Sequence, residues 1–208
     1  KIKIFGQVIT GMSEDNLSKL RRNNVGVVFQ SFHLIQTLTA SENVATPLEI
    51  SSSKNPIKHA MMALDRVGLS HRADHYPSQL SGGEQQRVAL ARCLVNDPDV
   101  ILMDEPLGAL DALTREKMQS LVLELWKKTG KTIIIITHSV EEALLLGERL
   151  FVMAPRPGRI HKEYQLPFAE WGLKRSLRDI KLEPEFSKVR EEILTMIWNM
   201  EEEIMGGA

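Results

Sequence analysis

Apolar residues recur along this chain with two periods, and the changes between them mark out the elements. Residues 1–10, KIKIFGQVIT, alternate apolar and polar side chains, the repeat of a strand, with Gly6 permitting a turn or bulge. Ser13 is placed to cap a short polar helix that runs to about Arg22. The run VGVVF, residues 25–29, predicts a buried strand ending at Gln30. From residue 31 to residue 96 the spacing becomes helical, broken by loops near residues 51–56 and 76–81.

The second half returns to short apolar runs. VILM, residues 100–103, leads straight into two acids, Asp104 and Glu105. Met118, Leu121, Val122 and Leu125 mark one face of a helix over residues 114–128, which Gly130 ends. TIIIIT, residues 132–137, is a second β-branched run. Two such runs joined by a helix predict a βαβ unit whose parallel sheet is buried on both faces. Ser139 and Glu142 have the spacing of a capping box for the next helix. RLFVMA predicts another strand, and PRPG, residues 155–158, a turn. In the tail from Phe168, the residues Phe186, Val189, Ile193, Met196, Met200 and Ile204 repeat at helical spacing among many glutamates. That stripe fits a last helix packed on its own domain, or a docking or regulatory helix. The chain contains no internal repeat and no low-complexity tract.

Composition bounds the class more than the function. With 208 residues the chain is long enough for one large domain, or a domain with an appendage. Hydrophobic residues at 43% and charged residues at 25% are ordinary for a chain with a real core. A formal net charge of -1 argues against a nucleic-acid binder held by bulk charge. Cys93 is the only cysteine, so an internal disulfide is excluded and a reducing compartment fits. No apolar run approaches the roughly 20 residues needed to span a bilayer, and no secretory signal is visible. Lys1 already falls inside the first alternating stretch, as if the chain began within a domain.

Candidate chemistry gathers at one helix tip and one sheet edge. LSGGEQQRVALAR, residues 80–92, places Gly82 and Gly83 at the start of a helix. The first N–H groups of a helix are unpaired and carry partial positive charge, and glycines let a phosphate approach them. Ser81 and Glu84 also fit a capping box, so part of the motif serves the helix itself. Asp104 and Glu105 follow an apolar strand, and ligands of open α/β sheets collect at the carboxyl ends of strands. An aspartate there offers oxygen to Mg²⁺. A second acid can orient or deprotonate water for attack on a phosphoryl group; a capped loop is the plain alternative. His138 follows the second apolar run and is expected at the same edge, sensing a γ-phosphate or positioning water. Gln30 ends the earlier strand with an amide carbonyl available to Mg²⁺ or water.

Together these residues resemble the nucleotide-binding domain of ABC transporters. VVFQS resembles that family's Q-loop, with Gln30 its glutamine; LSGGEQQ resembles the signature motif and VILMDEP the Walker B motif. LGALD, ending in Asp111, resembles the D-loop, and ITHS supplies the switch histidine, His138. The resemblance covers residues 1–160, with the motifs in the family's order. It implies an α/β fold of the P-loop NTPase (RecA-like) type: a parallel sheet core with an inserted helical subdomain, lacking the N-terminal strand arm and phosphate loop. Residues 1–30 would be a residual N-terminal arm and Q-loop strand, 31–96 the helical signature subdomain, 97–167 the RecA-like core and 168–208 a C-terminal helical tail.

The same resemblance implies ATP and Mg²⁺ as cofactors, Glu105 and His138 as catalytic residues, Asp104 and Gln30 as Mg²⁺ ligands, and Asp111 as the D-loop residue. Ser81, Gly82, Gly83, Glu84 and Gln85 would be the signature residues that meet ATP held by a second nucleotide-binding subunit. In this family two such domains face each other head to tail, close on two ATP and reopen on hydrolysis. The implied partners are a second copy of the chain, giving a homodimer, and transmembrane permease subunits met by the region after Gln30. No nucleic acid is implied. Membrane contact would run only through the permease, at the cytoplasmic, inner face of the cell membrane.

One element of the family has no match. The phosphate loop reads G-x-x-x-x-G-K-[ST]. In GQVITGMS, Gly6 and Gly11 have the spacing but Met12 stands in place of the lysine, and IKIFGQVITGMSEDNLSKLRR aligns better with the family's strand arm. The chain is therefore expected to be N-terminally truncated, and ATP hydrolysis by it alone is not expected. The two halves also resemble different branches. LRRNNVGVVFQSFHLIQTLTASENV is similar to lipoprotein-release and macrolide-export ATPases. MDEPLGALDALTRE, VMAPRPGRI and the FAEW and PEFSKVREEIL segments are similar to nitrate, sulfonate and taurine importers. The resemblance favours the ATP-hydrolysing subunit of an importer. The alternatives are an ATPase of the export branch, or a catalytically incompetent half-domain that lends its signature helix in trans. A soluble ABC protein of translation or DNA repair would carry paired domains or a coiled-coil insertion, and neither is present.

Overall fold

A computed structural model describes residues 1–155 and 157–206 of the chain. Arg156 of the expected PRPG turn lies outside the described residues, as do the side chains of Asn23 and of Ile204 in the tail stripe. Contacts group the chain into two compact units, Lys1–Leu110 with Gly130–Ile136, and Asp111–Thr129 with Thr137–Ala208.

The first unit opens with two short antiparallel strands, β1 (Lys3–Ile4) and β2 (Gln7–Val8). The alternating stretch is thus a hairpin rather than one strand, because Phe5 and Gly6 turn the chain at φ +49° and +75°. Helix α1 (Glu14–Asn24) starts where expected: the Ser13 side chain accepts from the Asn16 amide, acids occupy its first turn and Arg21 and Arg22 its last. Strand β3 (Val25–Phe29) follows. Residues 31–39 are irregular, although their spacing suggested helix. The buried side chain of Asn43 explains this. Its Oδ1 accepts from the Ile35 amide at 2.7 Å while Nδ2 donates to the carbonyls of Ile35, Leu38 and Thr39, replacing the bonds a helix would have made.

Asn43 belongs to α2 (Ala40–Ile50), which packs with α3 (Pro56–Arg66) and α4 (Gly82–Leu94) around Val44, Ala45, Ala60, Leu64, Val88 and Ala91. Strands β4 (Val100–Asp104) and β5 (Thr132–Ile136) complete a parallel sheet in the order β3-β4-β5. Its register sets Phe29, Asp104 and Ile136 side by side. Gly26, Val28, Ile101 and Met103 face inward and are buried, with α4 packed against β3. The other face is open: Val27, Phe29, Leu102 and Ile134 are exposed, and Ile136 is 63% exposed. The expectation of burial on both faces is therefore corrected. A short, uniformly apolar run reads the same whether one side of the strand is covered or two.

The second unit holds α5 (Ala112–Thr129), α6 (Val140–Leu146) and an antiparallel pair, β6 (Arg149–Ala154) with β7 (Arg159–Gln165), separate from the parallel sheet. Three helices follow, α7 (Phe168–Gly172), α8 (Leu177–Lys181) and α9 (Pro184–Gly206). Its core is built on Leu144, Leu145, Phe168, Ile180 and Phe186, all fully buried. The Phe168 ring meets Phe186 edge-on at 5.1 Å between centroids. Phe186, Val189, Ile193, Met196 and Met200 pack into this core, so the stripe of the last helix serves its own unit. Among the described residues no helix is long and apolar enough to cross a membrane.

Candidate functional site

Parallel pairing brings the carboxyl ends of the strands to one edge, and the register places Gln30 and Glu105 each one residue past an aligned position. Asp104 is exposed on the open face, in line with Phe29 and Ile136. At Glu105 the backbone turns into the left-handed region, φ +45°, a conformation that costs a residue with a side chain on the order of 1–3 kcal/mol. Backbone bonds hold it there. The Glu105 amide donates to the Ile136 carbonyl at 2.8 Å, and the Glu105 carbonyl accepts from Gly108 at 3.2 Å.

Gly108 keeps a small space open beside these groups. A Cβ on it would lie 3.2 Å from Gln30 Nε2 and 3.8 Å from Glu105 Oε2. The Gln30 amide and the Glu105 carboxylate thus border the same gap. Among the described residues no three His, Cys, Asp or Glu side chains form a metal cage. Asp104 at the aligned strand ends and the Glu105 carboxylate and Gln30 amide at the gap are nevertheless residue types that suit Mg²⁺, which keeps several waters and takes one or two carboxylates plus phosphate oxygens. A groove of about 520 Å³ beside Gln30 is lined by Phe32, His33, Gln36 and Gln85.

In the same unit, α4 begins with the full capping box expected of Ser81 and Glu84. The Ser81 amide and hydroxyl both donate to Glu84 Oε2 at 2.8 Å, and Ser81 Oγ accepts from the Glu84 amide at 3.3 Å. Arg72 adds an ion pair to Glu84 at 3.1 Å. The Ser81 amide, the Ser81 hydroxyl and the charges of Arg72 and Arg87 hold the Glu84 carboxyl below its usual range against the opposing effect of burial. Ser81 and Gly82 are exposed and Gly83 is buried. A Cβ on Gly82 would meet nothing closer than Leu110 Cδ2 and Phe32 Cζ at 3.9 Å, so packing does not demand glycine there. Gln85 Nε2 donates back to the Leu80 carbonyl at 3.1 Å and steadies the turn before the helix.

Two further residues of α4 escaped the sequence reading. Gln86, 1% exposed, donates through Nε2 to the carbonyl of Pro106, the residue after Glu105. The Arg92 guanidinium donates to the carbonyls of Phe32 at 2.9 Å and His33 at 2.7 Å, and its burial lowers its pKa. Both signals were faint. Gln86 falls on the buried stripe with Gly83, Leu90 and Cys93, a polar residue in an apolar register.

Asp111 and His138 belong to the second unit. Asp111 Oδ1 accepts from the amides of Leu113 and Thr114 at the start of α5, at 3.1 and 3.0 Å. The Thr114 hydroxyl, with these amides, keeps its carboxyl below the usual range. His138 is exposed, two residues past the end of β5. Its neighbours are clamped: the Thr137 hydroxyl donates to Glu142 Oε2 at 2.6 Å and accepts from the Ser139 amide at 3.0 Å. Ser139 Oγ accepts from the Glu142 amide at 3.3 Å. Only that half of the expected Ser139–Glu142 box forms in the expected way, because Thr137 engages both the Ser139 amide and the Glu142 carboxylate.

Residues 1–108 match the family model described as ABC transporter. The taurine import ATP-binding protein TauB of Pelagibacter ubique is 67% identical over 184 residues, which cover 87% of this chain and 69% of that protein. TauB of Roseobacter denitrificans is 66% identical over 184 residues, 88% of this chain and 69% of that one. Among solved structures, a dimeric ATP-binding cassette in a post-hydrolysis state, bound to ADP and Pi, superposes with a TM-score of 0.67 at 40% identity, covering 78% of this chain and 72% of the other.

Proposed function

We propose that this chain, which belongs to the ABC transporter family, is the ATP-hydrolysing subunit that drives uptake of taurine or a closely related sulfonate. Homologous cassettes are ATPases coupled to transport, so the reading as an incompetent half-domain gives way. Two-thirds identity to taurine import proteins outweighs the export-branch likeness around Gln30.

The observation that carries the catalytic reading is the convergence of Gln30 and Glu105 on the gap at Gly108, beside Asp104. The Asp104 carboxylate and the Gln30 carbonyl would hold Mg²⁺, which when bound neutralises charge on phosphate oxygens. Glu105 orients the attacking water and accepts its proton. His138 donates a hydrogen bond to the γ-phosphate. Ser81, Gly82 and Gly83 offer the bare tip of α4 to the γ-phosphate of ATP on a second copy of the chain. Glu84 and Gln85 fix that tip through Ser81 and Leu80. Asp111 caps α5 as the D-loop residue of the same interface.

On this reading residues 1–30 are a residual arm with the Q-loop strand, 31–96 the signature subdomain, 97–167 the RecA-like core and 168–208 the tail. The groove after Gln30 is the surface for the permease subunits, which place the protein at the inner face of the membrane. Uptake of labelled taurine by cells carrying the complete transporter tests the assignment. Uptake that depends on Glu105 is the expected result. Transport of nitrate with no uptake of taurine would overturn the substrate class, and full ATP turnover in Glu105→Gln would remove the role of the carboxylate.

A further inference from the structure

We infer that Gln86 is a positioning residue for the Glu105 loop, linking the nucleotide at the tip of α4 to the carboxylate that serves the opposite nucleotide. The inference rests on the roles proposed above for Glu105 and for Ser81–Gly83.

Residues 105–110 form neither helix nor strand. Their first residue holds a left-handed backbone, fixed by the bond from the Glu105 amide to Ile136 and by the bond from Gly108 back to Glu105. The bond from Gln86 Nε2 to the Pro106 carbonyl comes from outside the loop, one peptide past Glu105. Rotation of the Glu105–Pro106 peptides would break it. With the two backbone bonds, Gln86 thus fixes the peptide that sets the direction of the carboxylate in this strained turn.

Stability alone does not account for the amide. Gln86 Oε1 is buried with no hydrogen-bond partner among the described residues. A half-satisfied buried amide is destabilising relative to an apolar side chain of the same shape. What the apolar side chain would lose is the hold on Pro106.

The same helix carries two more contacts of interest. Its N-terminus presents Ser81, Gly82 and Gly83, and its last turn presents Arg92 to the carbonyls of Phe32 and His33, just after Gln30. A packed helix of 13 residues moves as one body. Displacement at its tip is transmitted to Pro106 near one end and to the segment after Gln30 at the other. In a head-to-tail pair the tip and the Glu105 loop of one chain serve different nucleotides. Gln86 then couples the two sites, and by linkage the coupling is reciprocal.

Gln86→Met and the isosteric Gln86→Glu, made in the full-length protein within its assembled transporter, test this by ATP turnover, thermal melting and amide exchange. The expected result is a melting temperature no lower than wild type in Gln86→Met, a lower one in Gln86→Glu, whose buried carboxylate is unpaired, and in both an unchanged KM, kcat lowered on the order of tenfold to a hundredfold, and a Hill coefficient for ATP that falls toward unity. The amides of Glu105 and Gly108 should exchange faster even without nucleotide. Unchanged exchange at those amides, or unchanged kcat, in either folded variant overturns the inference. So does a loss in Gln86→Met that tracks unfolding while Gln86→Glu behaves as wild type. Glu105→Gln run in parallel separates the two ideas: full turnover there defeats the role of Glu105, while the exchange data still decide whether Gln86 holds the loop.

Discussion

Cys93 fills the space that a side chain on Gly26 would need. A Cβ there would fall 2.3 Å from Cys93 Sγ and 3.0 Å from Pro98 Cγ. Helix α4 therefore lies directly on the backbone of β3, and the strand leading to Gln30 is seated against the helix that Ser81 caps. The close seat also desolvates the thiol and pushes its pKa up to about 12. Gly26→Ala should destabilise the protein by about 1–3 kcal/mol through overpacking. Cys93→Ala in the same chain should recover part of that loss. Melting of both single variants and the double variant measures the coupling, and additive effects would show that the two positions do not compete for space.

Gly82→Asp separates fold from function. The position has room for a Cβ, and an acid in the first turn of a helix is stabilising by about 0.3–1 kcal/mol. The variant should melt at or above the wild-type temperature, yet in the protein completed with a phosphate loop it should lose ATP turnover because its carboxylate repels the phosphate. Unchanged turnover would remove Gly82 from the nucleotide site.

Glu105→Gln keeps the shape of the side chain and removes its basicity. In the protein completed with a phosphate loop, turnover should fall by about 10²–10⁴ while ATP binding persists, leaving a closed, ATP-bound pair detectable by size-exclusion chromatography. A variant that stays monomeric with ATP and still hydrolyses it would contradict the role of this carboxylate.

The capping box of α4 makes its tip sensitive to acid. The Glu84 carboxyl lies below its ordinary value of 4.5, chiefly through the Ser81 amide. A carboxyl whose pKa is lowered on folding contributes stability that is fully present above 4.5 and is lost as the pH falls through the lower, folded value. Protection of the Ser81 amide, its exchange rate taken relative to the intrinsic rate at each pH, should therefore fall as the solution is acidified through that range. Glu84→Ala should exchange fast at neutral pH and lose the acid step.

The open face of the parallel sheet carries Val27, Leu102 and Ile134 into solvent. Contiguous exposed apolar surface promotes association. The 208-residue chain on its own should bind a hydrophobic dye and sediment as larger species at higher concentration. Leu102→Thr with Ile134→Thr should weaken both effects, and a pair that associates as strongly as wild type would place the sticky surface elsewhere.

The placement of the candidate residues was legible where they sit at the ends of recognisable runs. VGVVF, VILM and TIIII form β3, β4 and β5 as expected, and parallel pairing then brings Gln30 and Asp104 to one edge. Ser13 and Ser81 cap helices because a short hydroxyl side chain ahead of a helix satisfies its amides locally. What stayed hidden depends on tertiary contact. Asn43 turns an apparently helical stretch into a loop, and Gln86 and Arg92 act through carbonyls 20 and 59–60 residues away. Ser139 and Glu142 fit a motif that Thr137 partly pre-empts. Periodicity could not say which side of the sheet would be covered.

The alignment of Phe29, Asp104 and Ile136 has a consequence for how such a chain can change over generations. Adjacent positions of a strand point to opposite sides. Losing or gaining a single residue within β4 would tuck the aspartate under α4 and turn Met103 outward. Substitutions along this strand are graded in their effect, but its residue count is all-or-none, and only a change of two could restore the original parity.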